Sequence, residues 1–218
     1  ILVSSGSVAA GRSFIDHGSS EVSVTTRRAM AAVGQMKMMA NWQRFFDIPC
    51  GQILIAQDDI KDKQRFLNIK NTIEIQLANG LLPIVNENDT VANNSATMGD
   101  NDNLAALVAQ VCEADSLFIL SDVDGVFTKD PKTNDDAVLI PEIEVITDET
   151  YAMVCVNKEK MTFCGMKTKI EAAEKSIKHG INTYIINGTR NETFSSLLAG
   201  KNPGTRFIAY KNIITAKK

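Results

Sequence analysis

Cysteine is scarce in this sequence: four residues, Cys50, Cys112, Cys155 and Cys164, with no CxxC spacing among them. Neither a zinc site nor a disulfide framework is signalled, and a reducing, cytoplasmic setting is expected. Long apolar runs are missing too. None approaches the roughly 18 residues that a membrane span needs, and residues 1–12 lack the basic start and long apolar stretch of a signal peptide. No Lys/Arg cluster interrupts a chain whose net charge is −3 at pH 7, which argues against nucleic acid as a partner. GxxxxGK[ST] is absent, as are the HRD and DFG motifs, so P-loop and protein-kinase scaffolds are unsupported. No internal repeat, low-complexity tract or dividing linker is found.

What is present is the composition of an ordinary folded protein, 44% apolar and 22% charged over 218 residues, enough for one α/β domain with a sizeable core. Short β-branched apolar runs at 51–56, 81–86, 116–122 and 182–188 read as buried strands. Between them, apolar residues at helical spacing predict helices over 25–46, 60–78, 101–114 and 166–179. This alternation, with continuous apolar strands, predicts a mostly parallel sheet covered by helices on both faces. Thr25 or Thr26 can cap the first long helix, and Asn79-Gly80 and His179-Gly180 end two others. Residues 128–136 read as a surface excursion. The chain opens inside an apolar run, ILVSSG, so a strand that starts upstream is expected.

In open parallel sheets ligands bind beyond the carboxyl ends of the strands. Ser4-Ser5-Gly6, Asn86-Glu87-Asn88-Asp89, Ser121-Asp122 and Asn187-Gly188 all fall at such points. The richest stretch, VNENDTVANNSATMGDNDNLAALVAQ, gathers Asn86, Glu87, Asn88, Asp89, Asp100, Asn101 and Asp102 around one loop and one helix start. Asp100 can cap that helix, whose N-terminus offers free N–H groups to an anion. The amides of Asn86, Asn88 and Asn101 can bind the ends of an amino acid, with Asp89 or Asp100 for its ammonium. Read blandly, the same residues make a solvated loop and a capped helix.

Nearer the C-terminus, CGMKTKIEAAEKS places Gly165 before a helix with Lys167 and Lys169 in its first turns, a position unfavourable to the macrodipole unless an anion is present. Phosphate would supply one, and a lysine suits charge that develops on a phosphoryl group. Ordinary surface lysines are the alternative. The small residues of SSGSVAAGR let a backbone approach a ligand closely, as they would in any tight strand-to-helix turn. Trp42, Met36, Met38 and Met39 sit at helical spacing and read as core or subunit interface, while His17 and His179 read as surface or cap residues.

The order VSSGSVAAGR, AAVGQ, QILIAQDD with RFLNIKNT, LPIVNENDTVA, GDNDNLAALVA, LSDVDGVF, GMKTKIEAA and IINGT resembles the glutamate 5-kinases, within the amino acid kinase family, over nearly the whole chain. The resemblance implies a three-layer α/β/α sandwich with a mixed, largely parallel eight-stranded sheet. It implies a single domain over 1–218, with glutamate held by about 1–115 and ATP by about 116–218. Carried onto matching positions, Ser5 and Gly6 would lie by glutamate and the transferred phosphate, and Asn86, Asp89, Asp100 and Asn101 would hold glutamate. Asp102 would orient the lysines. Ser121 and Asp122 match the adenine-nucleotide motif, Gly165, Met166, Lys167 and Thr168 the nucleotide loop, and Lys169 the lysine that stabilises the leaving phosphate.

The implied reaction is in-line attack of the glutamate side-chain carboxylate on the γ-phosphorus of Mg2+-ATP, without a covalent enzyme intermediate. Its product is γ-glutamyl phosphate, the first intermediate of proline biosynthesis. Proline is implied as a feedback inhibitor and a homo-oligomer, dimer or tetramer, as the assembly; no resident metal site is implied. Three departures from the family pattern stand out. The family's first strand, with a lysine in a glycine turn, has no counterpart here. Phe163 and Cys164 occupy loop positions where small residues are expected, and glycines are missing from VCVNKEK before them. The chain stops soon after GTRFIA, without the C-terminal RNA-modification-type (PUA) domain of many members. A different amino acid kinase is one alternative, which NENDT with GDNDN argues against. A non-catalytic module that binds glutamate or proline is the other, which the first two departures favour.

Overall fold

The computed structural model describes residues 1–16, 22–91, 101–154 and 165–210. Two compact units make up the chain, Ile1–Leu104 and Ala105–Lys218. Among its described residues the first holds three strands in the order β1-β3-β2: β1 (Leu2–Val3), β2 (Cys50–Ile55) and β3 (Leu82–Glu87), all parallel. Pro83, Ile84, Val85 and Asn86 of β3 are buried consecutively, so both faces of this central strand are covered. That is why the strand reads as an unbroken apolar run.

Helix α1 (Ser7–Gly11) follows β1 directly and runs into a short 3-10 turn, Arg12–Phe14. Gly6, at φ 107°, makes the corner between strand and helix in a left-handed conformation that side chains disfavour. Helix α2 (Val24–Gln43) packs on α1 and β2. The approach of the two helices requires glycine on both: a Cβ on Gly34 would lie 1.8 Å from the Ser7 carbonyl oxygen, and one on Gly11 1.9 Å from that of Met30. The cap of α2 is Ser23, one position ahead of the helix, whose Oγ accepts the Thr26 N–H at 3.1 Å; neither Thr25 nor Thr26 fills that place, because Ser23 holds the extended backbone a cap needs.

The helix expected over 60–78 is two helices, α3 (Gln57–Lys61) and α4 (Lys63–Ala78). Asp62 divides them: its backbone is extended and its carboxylate accepts the Arg65 N–H at 2.9 Å, which restarts the helix. Gly80, at φ 73°, turns the chain from α4 into β3. The core of this unit includes Met30, Met38, Ile53, Ile55, Ile73, Ile84 and Val85. Met38 is thus core as expected, whereas Met36 is 78% exposed.

Helix α5 (Asn101–Val111) leads into the second unit, whose strands run in the order β4-β6-β7-β5: β4 (Ser116–Ser121), β5 (Glu142–Ile143), β6 (Asn182–Asn187) and β7 (Thr205–Phe207). β4 pairs parallel with β6 and β5 with β7, and β6 meets β7 antiparallel. One row of the register places Phe118, Tyr184, Arg206 and Glu142 side by side. Phe118 stacks on Tyr184 with ring centroids 4.8 Å apart, Arg206 lies over Tyr184, and Arg206 pairs with Glu142 at 3.8 Å. Helices α6 (Asp148–Val154), α7 (Gly165–Ile177) and α8 (Glu192–Leu198) belong to the same unit. Ile119, Val126, Ile170, Ile177, Ile185 and Phe207 are central to its core. Among the described residues no helix is long and apolar enough to cross a membrane.

Candidate functional site

Strand register assembles the polar cluster of the first unit. β1 and β3 pair as Leu2 with Ile84 and Val3 with Val85, which brings Ser4, just past the end of β1, beside Asn86, near the carboxyl end of β3 and still paired with Leu54 of β2. The Ser4 N–H continues the ladder to the Val85 carbonyl at 2.9 Å. Asn101, at the start of α5, closes the group: its Nδ2 donates to the Ser4 carbonyl at 2.5 Å and to Asn86 Oδ1 at 3.1 Å. Both of its amide hydrogens are then used, and its Oδ1 is the acceptor left to offer.

Asn86 is 2% exposed and is engaged at both ends of its amide: besides accepting from Asn101, it donates through Nδ2 to Gln35 Oε1 at 3.0 Å. Gln35 in turn donates to Gln52 Oε1 at 3.3 Å. Ser7, 4% exposed at the start of α1, donates to Asp89 Oδ2 at 2.7 Å. Trp42 steadies Ser4 from α2, its Nε1–H donating to Ser4 Oγ at 2.9 Å. Beside this network a cleft of about 240 Å³ is lined by Ala32, Gln35, Met36, Gln52, Glu87 and Asp89, among others. It offers carboxylate and amide oxygens on a partly apolar wall, a lining suited to a small ammonium-bearing molecule.

Ser5 and Gly6 lie exposed at the corner between β1 and α1. Asp102 lies in the first turn of α5. Asp100, Phe163 and Cys164 fall outside the described residues. The structure therefore brings Asn86 and Asn101 into direct contact and sets Asp89 on a buried serine. Sequence reasoning gave no site role to Ser7, Gln35 or Gln52. The first stands within SSGS and the second ends AAVGQ, yet nothing in their local pattern shows what they bond to.

In the second unit the ends of β4 and β6 lie side by side, Ser121 opposite Asn187. The Gly188 N–H donates to the Ser121 carbonyl at 2.9 Å. Asp124 is held by Asn187 Nδ2 at 2.8 Å and by Arg190 Nη2 at 2.9 Å. Asn187 Oδ1 accepts from both the N–H and the hydroxyl of Thr189. The two loops are thereby tied together. Asp122 is exposed, its Oδ1 beside Ser121 Oγ at 3.4 Å and its Oδ2 3.7 Å from Lys132 Nζ.

Gly165, Met166, Lys167, Thr168 and Lys169 form the first turns of α7, so Gly165, expected to precede the helix, is its first residue, and the segment matched to a nucleotide loop is helical. No acidic residue stands in that first turn, so the positive end of the helix dipole and two lysines coincide there. Lys167 leans toward Glu171 at 3.7 Å, and Thr168 Oγ1 donates to the Gly165 carbonyl at 2.9 Å. Farther along, Glu174 accepts from Tyr151 of α6 at 2.7 Å and from Lys178 at 2.6 Å. Lys178 and then Tyr151 hold the Glu174 carboxyl below its ordinary range. Burial first, and the bond to Glu174 second, push the Tyr151 phenol far above its own.

Relatives and solved structures agree with this architecture. Over 211 residues the chain is 52% identical to glutamate 5-kinase 1 of Pseudoalteromonas translucida, covering 97% of this chain and 57% of that protein. It is 48% identical to glutamate 5-kinase of Idiomarina loihiensis, covering 100% of this chain and 59% of the relative, and equally so to that of Salinibacter ruber, covering 100% and 58%. The chain thus spans less than two thirds of the length of these relatives. Among solved structures, isopentenyl phosphate kinase of T. acidophilum superposes with a TM-score of 0.57 at 18% identity, covering 83% of this chain and 70% of that one. Uridylate kinase of Archaeoglobus fulgidus superposes with a TM-score of 0.57 at 16% identity, covering 92% and 77%. Residues 1–187 match the amino acid kinase family. With one continuous match over most of its length and a mixed, mostly parallel α/β fold shared with these kinases, the chain belongs to the amino acid kinase family.

Proposed function

We propose that this chain is the amino acid kinase portion of an enzyme that phosphorylates the side-chain carboxylate of glutamate with ATP, yielding γ-glutamyl phosphate for proline biosynthesis in the cytoplasm. Relatives named glutamate 5-kinase, about half identical over nearly all of this chain, support the reading. The observation that carries it is the Ser4, Asn86 and Asn101 cluster with the Ser7 and Asp89 pair beside it. With both Asn101 N–H groups used, its Oδ1, together with the second oxygen of Asp89, presents acceptors to an α-ammonium. Ser5 and Gly6 are assigned to glutamate and the transferred phosphate, and Asp100 to glutamate.

ATP is assigned to the second unit. Ser121 and Asp122 offer a hydroxyl and a carboxylate to its nucleoside, and the start of α7, Gly165 through Lys169, offers N–H groups and two cationic side chains to its phosphates. Mg2+ would enter on those phosphates as part of the substrate. A glutamate carboxylate oxygen forms the new bond to the γ-phosphorus while the bridging bond to the β-phosphate breaks and ADP leaves. Lys169 would offset the charge that develops on the phosphate, and Asp102 would orient the lysines. Feedback by proline at the glutamate site and a homo-oligomeric assembly belong to the same proposal and rest on the resemblance alone.

The test is formation of γ-glutamyl hydroxamate from glutamate, hydroxylamine and Mg2+-ATP by the protein with its native flanking sequence. ATP-dependent product that disappears in Lys169→Ala is expected. No product with glutamate from a folded sample would sink the proposal.

A further inference from the structure

We infer that Gln35 is a positioning residue that, through Asn86, supplies half of the lock that holds Asn101 in the orientation offered to the amino acid; this rests on the glutamate reading above. Four amides form a chain in which each donates to the next. Asn101 Nδ2 gives to Asn86 Oδ1, Asn86 Nδ2 to Gln35 Oε1 and Gln35 Nε2 to Gln52 Oε1, at 3.1, 3.0 and 3.3 Å. Direction is conserved along the whole chain. Turning Asn86 over, at 2% exposure, would set its NH2 against that of Asn101 and its oxygen against that of Gln35, so its orientation and those of these two neighbours go together.

Gln35 has a firm footing. It is 8% exposed and follows Gly34, whose α carbon is held against the Ser7 carbonyl, so its backbone has little room to shift. By taking Asn86 Nδ2, it leaves Asn86 Oδ1 toward Asn101. Asn101 is then locked by two acceptors, that oxygen and the Ser4 carbonyl, which leaves its own Oδ1 as the atom that can accept from an ammonium. Without Gln35, Asn86 can present either end and the lock on Asn101 is halved.

The consequence is selectivity for an amino acid over its deaminated analogue, so calorimetry of glutamate and of glutarate is the experiment, with KM for both substrates alongside. Wild-type protein should prefer glutamate. Gln35→Met, which keeps the length of the side chain and removes its acceptor, should lower that preference about tenfold and leave KM for ATP unchanged. Gln35→Glu, which restores an acceptor oxygen for Asn86, should recover most of it. Wild-type preference retained in Gln35→Met, or equal losses in the Met and Glu variants, overturns the inference. If Gln35→Met does not fold, Gln35→Glu must keep the preference and Gln52→Leu must lower it; any other pairing overturns it too. Wild-type protein that binds no glutamate at all instead refutes the reading beneath it.

Discussion

Ser7 is the residue whose chemistry is most exposed to a single-atom test. Its hydroxyl is buried and points one hydrogen bond at Asp89, a carboxylate with an oxygen to spare. Hydrogen bonds to ionised groups contribute about 1.5–3 kcal/mol, so Ser7→Ala should loosen Asp89 and raise KM for glutamate about tenfold. Steady-state kinetics with ATP saturating reads this directly, and an unchanged KM would remove Asp89 from the ammonium subsite. The serine itself could not be singled out from sequence. SSGS contains three serines, and only the turn at Gly6, with φ 107°, decides that the third of them faces inward.

Elements were legible wherever a run was long. The strands expected at 51–56, 81–86, 116–122 and 182–188 appear within a residue or two of their places. β5 and β7 escaped because two or three residues carry no periodicity; their pairing depends on neighbours remote in the chain, such as Glu142 with Arg206. The tie between α6 and α7 is equally non-local, since Tyr151 and Glu174 lie 23 positions apart. It has a pH signature. Glu174 has a lowered pKa in the folded state, so its contribution is present above the ordinary carboxylate range and is lost as pH falls through the folded value. Thermal melts from about pH 6 to about pH 3 should therefore fall more steeply for wild-type protein than for Glu174→Gln; parallel curves would show that this tie contributes nothing.

At the scale of the whole chain, the Asn and Asp clusters were visible as composition, whereas their pairings were not. Ser4 meets Asn101 across 97 positions and Ser7 meets Asp89 across 82. Such contacts follow from parallel register, Val3 beside Val85, which no local pattern encodes. The two units give the assignment of substrates a direct check. Amide hydrogen exchange should slow within 1–104 when glutamate is added and within 105–210 when ATP is added. Protection by glutamate confined to the second unit would reverse the assignment.

The Asn101, Asn86, Gln35 and Gln52 chain contains no group that gains or loses a proton in water. It is an electrically silent scaffold, free of the desolvation cost of a buried charge and indifferent to acid or alkali. Whatever acid or alkali changes at this site must therefore lie outside that chain, while the framework around Asn101 stays the same throughout.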